Sequence, residues 1–101
     1  MGENIPILDT KKQDTMQLIV GQYFTNIKCE SFLDKQTNRI RVRPLENQQV
    51  PSTVFIECLK KIREENKVGT LFIAENVKVC KKTDGRIYLR AKDQIIQKIT
   101  E

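Results

Sequence analysis

The sequence contains no histidine and only three cysteines, and these shortages exclude several kinds of active site. Without histidine, neither a serine nor a cysteine nucleophile can be activated by a neighbouring imidazole. The cysteines (Cys29, Cys58 and Cys80) form no CxxC pair, so we expect reduced thiols and no zinc site. No catalytic or cofactor-binding motif is present either. The sequence therefore predicts no enzymatic activity, no metal and no cofactor.

Long apolar segments are also absent. No apolar run approaches the roughly 18 residues of a membrane span, and the N-terminus lacks the apolar core of a signal peptide. We therefore expect a soluble, cytoplasmic protein that does not bind membranes. The length of 101 residues suits one domain with a modest core. Residues 1–14 are polar and aperiodic and are predicted to be a flexible tail, and residues 15–101 to form a single domain.

The charge is positive and unevenly distributed along the chain. The formal net charge is +5. Residues 1–36 hold four lysines against five acidic residues, whereas residues 37–101 hold fourteen basic residues against eight acidic ones. The basic surplus therefore belongs to the second part of the chain. Such a surplus suits nucleic acid or an acidic protein partner, although solubility alone would also explain it.

Residues 77–90 predict a β-hairpin, because Asp84-Gly85 separates two β-rich runs. A two-residue loop would place Val79 opposite Arg90 and divide the apolar side chains between both faces. A three-residue loop, with Gly85 in a bulge, would place Val79 opposite Leu89. The second register costs roughly 0.2–1 kcal/mol for each pair of opposed like charges. Exposing one Val or Ile costs about 1.5–3 kcal/mol, so we predict the bulged register.

Two basic faces follow from these patterns. The bulged hairpin gives one apolar face and one basic face that includes Cys80. Residues 39–43 alternate strictly, so that Ile40 and Val42 point inward while the arginines point outward, roughly 6.6–6.8 Å apart. Arginine also makes bidentate contacts with phosphate. The candidate nucleic-acid-binding residues are Arg39, Arg41, Arg43, Lys78, Lys82, Arg86, Tyr88 and Arg90.

The same features are also typical of an ordinary solvated sheet. Tyr88 is a good strand former, and exposed charges deter edge pairing between molecules. Two classes of function therefore remain open. The first is a small nucleic-acid-binding or DNA-associated accessory protein that contacts the phosphate backbone. The alternative is a protein-interaction or assembly module without catalytic activity, for example a homodimer.

The remaining segments predict an α+β fold. Residues 52–66 predict the main helix, with Ser52 as its N-cap and a buried stripe of Phe55, Cys58, Leu59 and Ile62. Residues 16–29 favour strands, although one helix face would also fit the apolar residues Met16, Val20, Tyr23, Phe24 and Ile27. Residues 70–74 predict a central strand. Residues 94–99 fit either a short helix capped by Asp93 or a last strand. We therefore expect a mostly antiparallel sheet or small open barrel, with the helix at about 52–66 packed on it.

Overall fold

The computed structural model describes residues 18–100, so the predicted tail over residues 1–14 lies outside the described residues. The described part of the chain contains one short helix, one 3₁₀ turn (Lys92–Gln94) and six strands. The helix is α1 (Lys60–Glu64). The strands are β1 (Tyr23–Asp34), β2 (Arg39–Pro44), β3 (Ile56–Glu57), β4 (Leu71–Lys81), β5 (Ile87–Ala91) and β6 (Gln97–Lys98).

The six strands form one sheet in the order β2-β1-β4-β5-β3, and β6 pairs with the first part of β4. All pairs are antiparallel except β3 with β5. The two end strands of this order, β2 and β3, come into contact, so that the five-stranded sheet nearly closes into a barrel. The core lies inside this barrel. Its buried apolar residues are Ile27, Cys29, Val42, Val50, Ile56, Cys58, Phe72, Ala74, Val77, Val79, Leu89, Ala91 and Ile96.

The two long strands interrupt their inside–outside alternation at the same level of the barrel. In β1, Thr25 and Asn26 are both exposed, and in β4, Glu75 and Asn76 are both exposed. Asn26 adopts φ 55, a left-handed conformation that asparagine tolerates better than most residues. Because both strands insert one extra outward residue here, the ladder keeps its register across the break, with Thr25 opposite Asn76. Each strand can therefore contribute inward side chains on both sides of the break.

The predicted α+β class, with a main helix at about 52–66, is wrong. The fold is mostly β, and only Lys60–Glu64 is α-helical in this region. The Leu89 N–H donates to the Phe55 carbonyl at 2.8 Å, and Ile56 is buried in the core. Pairing with β5 therefore provides the backbone hydrogen bonds of this segment and buries its apolar side chain. The sequence pattern had assigned both roles to a helix. No helix among residues 18–100 is long and apolar enough to span a membrane.

The ends of the predicted helix also differ from the expectation. Ser52 lies in a turn instead of capping a helix, and Leu59 is 43% exposed. At the C-terminus, Asp93 lies inside the 3₁₀ turn, and the following residues form β6. The strand alternative for this segment is therefore the one found. The predicted strand at 70–74 corresponds to the start of the longer β4, which begins at Leu71. The predicted strand at 16–29 is correct only from Tyr23, where β1 begins, because residues 18–22 form a turn and irregular backbone. Residues 16 and 17 lie outside the described residues.

The bulged register of the hairpin is confirmed. Val79 lies opposite Leu89, and both side chains are 0% exposed. The Lys82 N–H donates to the Arg86 carbonyl at 2.8 Å, which closes a loop in which Gly85 has φ 93. The basic residues of the outer face (Lys78, Lys82, Arg86 and Arg90) are all exposed, as predicted.

Replacing Gly85 with alanine is expected to lower the free energy of unfolding by about 1–2 kcal/mol. A methyl group at this position would meet no atom within 4 Å, so the penalty arises from the backbone conformation alone. Urea denaturation followed by circular dichroism measures the change. Thr83→Ala, in the same exposed loop, is the control and should have little effect. A Gly85→Ala variant as stable as the parent would show that the loop does not require glycine.

The three cysteines are unpaired, and two of them are buried in the core. Desolvation raises the pKa of Cys29 to about 12, with a smaller contribution from nearby Cys58. Desolvation likewise raises the pKa of Cys58 to about 11. Because these folded-state values exceed the usual 9.0, the thiols contribute full stability below pH 9 and lose it as the pH rises towards 11–12.

We therefore expect a chromogenic disulfide reagent at pH 8 to label one thiol rapidly, Cys80, which is the partly exposed one. Cys80→Ser should remove the rapid phase. Unfolding in urea should expose all three thiols to the reagent. Rapid labelling of more than one thiol in the folded protein would contradict the buried positions of Cys29 and Cys58.

Candidate nucleic-acid interface

The arginines of β2 project from the outer surface, but two of them have carboxylate partners on β1. Arg41 Nε donates to Asp34 Oδ2 at 2.8 Å, and Arg43 Nε donates to Glu30 Oε2 at 3.0 Å. No carboxylate of the described residues lies within 4 Å of Arg39. The predicted row of three arginines is therefore present on one face, but its charge is partly neutralised by β1.

The contacts of Asp34 stabilise its ionised form. Partial desolvation alone would raise the pKa of Asp34, but three hydrogen bonds outweigh it and lower that pKa below its usual value. The donors are the Gln36 N–H, the Thr37 hydroxyl and the Arg41 guanidinium. Asp34 therefore remains an anion at neutral pH, and it fixes the position of Arg41.

Two phenylalanines lie against these arginines and form what we call the Arg–Phe cluster (Phe32, Arg41, Arg43 and Phe55). The guanidinium carbon of Arg43 lies 4.3 Å from the Phe32 ring centroid, and that of Arg41 lies 4.8 Å from the Phe55 centroid. The two ring centroids are 5.8 Å apart. Cations at such distances are attracted to the ring faces. Both rings are only partly buried, so part of each ring remains open to solvent beside its guanidinium.

The sequence pattern indicated no role for Phe32 and predicted the wrong environment for Phe55. Phe32 could have been found, because it shares the outward alternation of Glu30 and Asp34, which lie two residues to either side. Phe55 could not, because its position depends on pairing with β5, more than thirty residues further along the chain. It was expected on the buried stripe of a helix and instead lies partly exposed beside β2.

The hairpin contributes a second basic surface, which we call the hairpin surface (Lys78, Lys82, Arg86, Tyr88 and Arg90). On its outer side Lys78 lies opposite Arg90, and Cys80 lies opposite Tyr88. Successive rows on one face of a sheet are roughly 6.6–6.8 Å apart. Lys82 Nζ lies 5.2 Å from the Tyr88 ring centroid. Among residues 18–100, no carboxylate lies within 4 Å of the lysines or of Arg90, so these charges are available to an anion.

Arg86 and Tyr88 belong to the same surface but are less able to bind an anion than the lysines are. Arg86 Nε donates to Asp84 Oδ2 at 2.9 Å within the loop. Desolvation raises the pKa of the Tyr88 phenol, and neighbouring Cys80 and Glu57 raise it further. Tyr88 therefore remains neutral at physiological pH. A neutral ring among cations is suited to stacking against a nucleobase.

Strand β3 connects the two basic surfaces. The parallel register pairs Ile56 with Leu89, which places Phe55 level with Tyr88. Ile56 and Leu89 point into the core, so Phe55 and Tyr88 belong to the outer side. The Arg–Phe cluster and the hairpin surface are therefore neighbours on one side of the barrel. Six of the eight candidate residues lie on strands of the same sheet, and Lys82 and Arg86 flank the hairpin loop between β4 and β5.

The fold and this surface define a small, mostly antiparallel β-barrel with a basic and aromatic outer face. Among the residues that the structure describes, no group of three or more His, Cys, Asp or Glu side chains could hold a metal ion. Comparisons with protein-family models, with curated proteins and with solved structures found no significant match.

Proposed function

We propose that this protein binds single-stranded nucleic acid across the side of the barrel that joins the Arg–Phe cluster to the hairpin. One observation carries the proposal: three partly exposed rings (Phe32, Phe55 and Tyr88) each lie within 5.2 Å of a cationic group on a single face. Single-strand binders combine a positive surface for the phosphates with aromatic rings for the bases. Arginine planes also serve as stacking surfaces for unpaired bases.

A single strand fits this surface better than a duplex does. Stacking on protein rings requires bases whose faces are open, and a duplex hides them. Major-groove reading usually requires a helix or a two-stranded ribbon of suitable length. The helix α1 has five residues, and its side lies against β2. The proposed ligand is therefore unpaired DNA or RNA, bound with little sequence preference.

The architecture supports the same proposal by analogy. A five-stranded, partly open barrel with this strand order, and with a helix between the third and fourth strands, is similar to an OB fold. OB folds bind oligonucleotides on the face of strands 2 and 3 and on the loops that follow strands 1 and 4. In this protein that region contains Arg41 and Phe55. Fold likeness is an analogy only, so the proposal depends on the side chains.

The carboxylates of β1 do not prevent phosphate binding. Glu30 and Asp34 each accept a hydrogen bond from an arginine Nε. A guanidinium carries five N–H donors, so its terminal nitrogens can still bind phosphate. The two acids therefore orient the guanidinium planes against the rings. They also reduce the net charge, which favours modest affinity.

The experiment is a fluorescence-anisotropy titration with a labelled single strand and with the duplex of the same sequence. We expect the single strand to bind more tightly. Phe32→Leu with Phe55→Leu should weaken its binding about 5-fold or more, because losing even one stacked base costs roughly 1–3 kcal/mol. Leu33→Ala, an exposed neighbour on β1, is the matched control. Equal affinity for both ligands, or an unaffected double variant, would contradict the proposal.

The alternative function, a protein-interaction or assembly module, has its own supporting observation. Leu71 at the start of β4 is 39% exposed, and Ile95, which lies shortly before β6, is 51% exposed. Exposed apolar side chains of this kind suit a protein partner or a second copy of the chain. A mass by light scattering that rises with concentration, without any binding of oligonucleotide, would favour this alternative.

We also propose a cytoplasmic location. The three unpaired cysteines support it, because free thiols persist in reducing compartments. The proposal adds no requirement for a metal or a cofactor.

A further inference from the structure

A depression of about 390 Å³ opens on the outer surface where β1, β4 and β5 meet. This volume lies in the range of small-molecule sites, roughly 300–1,000 Å³. The polar and aromatic residues that line it are Tyr23, Asn76, Lys78, Arg90, Lys92 and Asp93, and we call it the Tyr23 pocket. It is distinct from the Arg–Phe cluster and lies next to the row that contains Tyr88.

The sheet register builds the floor of this pocket. Tyr23 lies opposite Lys78 across β1 and β4, and Lys78 lies opposite Arg90 across β4 and β5. One row of the sheet therefore carries a ring and two cations. The Tyr23 side chain is open to solvent, with 65% exposure, and Lys78 Nζ lies 5.8 Å from its ring centroid.

The charges in the pocket are not balanced. Opposing Lys78 to Arg90 is unfavourable, because like charges directly across a ladder repel each other. Lys92 adds a third cation, and Asp93 supplies one carboxylate. The lining therefore has a formal surplus of two positive charges. A dianion bound between these side chains would relieve the repulsion.

The rim of the pocket is also unusual in its backbone. Asp93 and Gln94 both have positive φ, 54 and 58, although neither is glycine. The Leu59 N–H donates to the Gln94 carbonyl at 2.9 Å and helps to hold this turn in place. Residues in such conformations are concentrated at ligand clamps. The turn directs Lys92 and Asp93 to the lining of the pocket.

We propose that the Tyr23 pocket binds a nucleotide that carries a phosphate monoester. The monoester has a charge of about −1.5 to −2 at pH 7, which matches the surplus of the lining. Lys78, Arg90 and Lys92 bind the phosphate, and the base stacks on Tyr23. Asp93 accepts hydrogen bonds from the ribose hydroxyls. The nucleotide is either free or the phosphorylated end of a strand, and the site is independent of the Arg–Phe cluster.

The test is an NMR titration of the ¹⁵N-labelled protein with adenosine 5′-monophosphate, adenosine and inorganic phosphate. We expect the monophosphate to shift the amide signals of the pocket residues, and the other two to bind at least tenfold more weakly. Lys78→Gln and Tyr23→Leu should each weaken monophosphate binding at least fivefold. Lys81→Gln, an exposed lysine on the same strand, is the control and should bind as the parent does.

Three results would overturn the inference. Adenosine could bind as tightly as its monophosphate, the shifts could be confined to residues outside the pocket, or Lys78→Gln and Lys81→Gln could lose equal affinity for the monophosphate.

Oligonucleotides with and without a 5′-phosphate distinguish a free nucleotide from the phosphorylated end of a strand. A preference for the phosphorylated strand that Lys78→Gln removes supports the strand end. Equal affinity for both strands, with monophosphate shifts retained, supports the free nucleotide. Monophosphate binding without any oligonucleotide binding would refute only the proposed single-strand function.

Discussion

Reversing one charge on each basic surface, with Arg39→Glu and Lys82→Glu together, is expected to weaken single-strand binding at least about 25-fold at 0.1 M salt. If five cations contact phosphates, the affinity for a single strand falls with a log–log slope of about −3.5. That slope means roughly 130-fold weaker binding at 200 mM than at 50 mM salt. Losing two contacts should reduce the slope to about −2. Anisotropy titrations at both salt concentrations measure these values.

The matched control is the double variant Lys67→Glu with Lys98→Glu. It changes the net charge by the same amount, and both lysines are exposed outside the proposed face. We expect it to bind nearly as the parent does. If the control loses as much affinity as Arg39→Glu with Lys82→Glu, only the overall charge matters. If binding does not respond to salt, phosphate contacts are not its basis.

Arg39 and Lys82 are better test sites than Arg41 and Arg86, although the sequence pattern would treat all four alike. The side chain of Arg41 is 22% exposed and pairs with Asp34. A glutamate there would face that carboxylate and would disturb the fold as well as the binding. Arg86 pairs with Asp84 in the hairpin loop. Arg39 and Lys82 have no carboxylate within 4 Å in the described part of the chain.

The second large effect concerns stability: Phe72→Ala is expected to lower the free energy of unfolding by about 3–5 kcal/mol. Phe72 is 0% exposed and is the largest fully buried side chain of the core. It lies on β4, opposite Cys29 on one side and Lys98 on the other. The Cys29 thiol donates to its carbonyl at 3.6 Å. Small domains are stable by about 5–15 kcal/mol, so the loss would be a large share of the total.

Urea denaturation of Phe72→Ala beside Leu71→Ala tests this prediction. Leu71 precedes Phe72 on β4 but faces outward and is 39% exposed. Its truncation should cost less than about 1.5 kcal/mol, because much of its surface is already in water. Equal losses in the two variants would mean that the inside–outside assignment of β4 is incorrect. An unchanged Phe72→Ala variant would mean that the barrel core lies elsewhere.

The hairpin shows which features could be predicted from local patterns in the sequence. Its turn depends on Asp84 and Gly85, which are adjacent, and its register depends on the alternation of apolar residues within a few positions. Both signals act over short distances along the chain, so the opposition of Val79 and Leu89 could be predicted. The outward direction of the β2 arginines depends on the same period of two, and the structure places them on the outer face.

Features that depend on contacts between distant parts of the chain could not be predicted in this way. Phe55, Cys58, Leu59 and Ile62 have helical spacing, but pairing of Ile56 with Leu89 makes the first part of this segment a strand. The β5 edge supplies backbone hydrogen bonds and burial that no local pattern reveals. Contact between β2 and β3 then brings Phe55 to Arg41. The alternation of single strands could therefore be predicted, whereas the closure of the barrel and the assembly of the candidate site depended on long-range pairing.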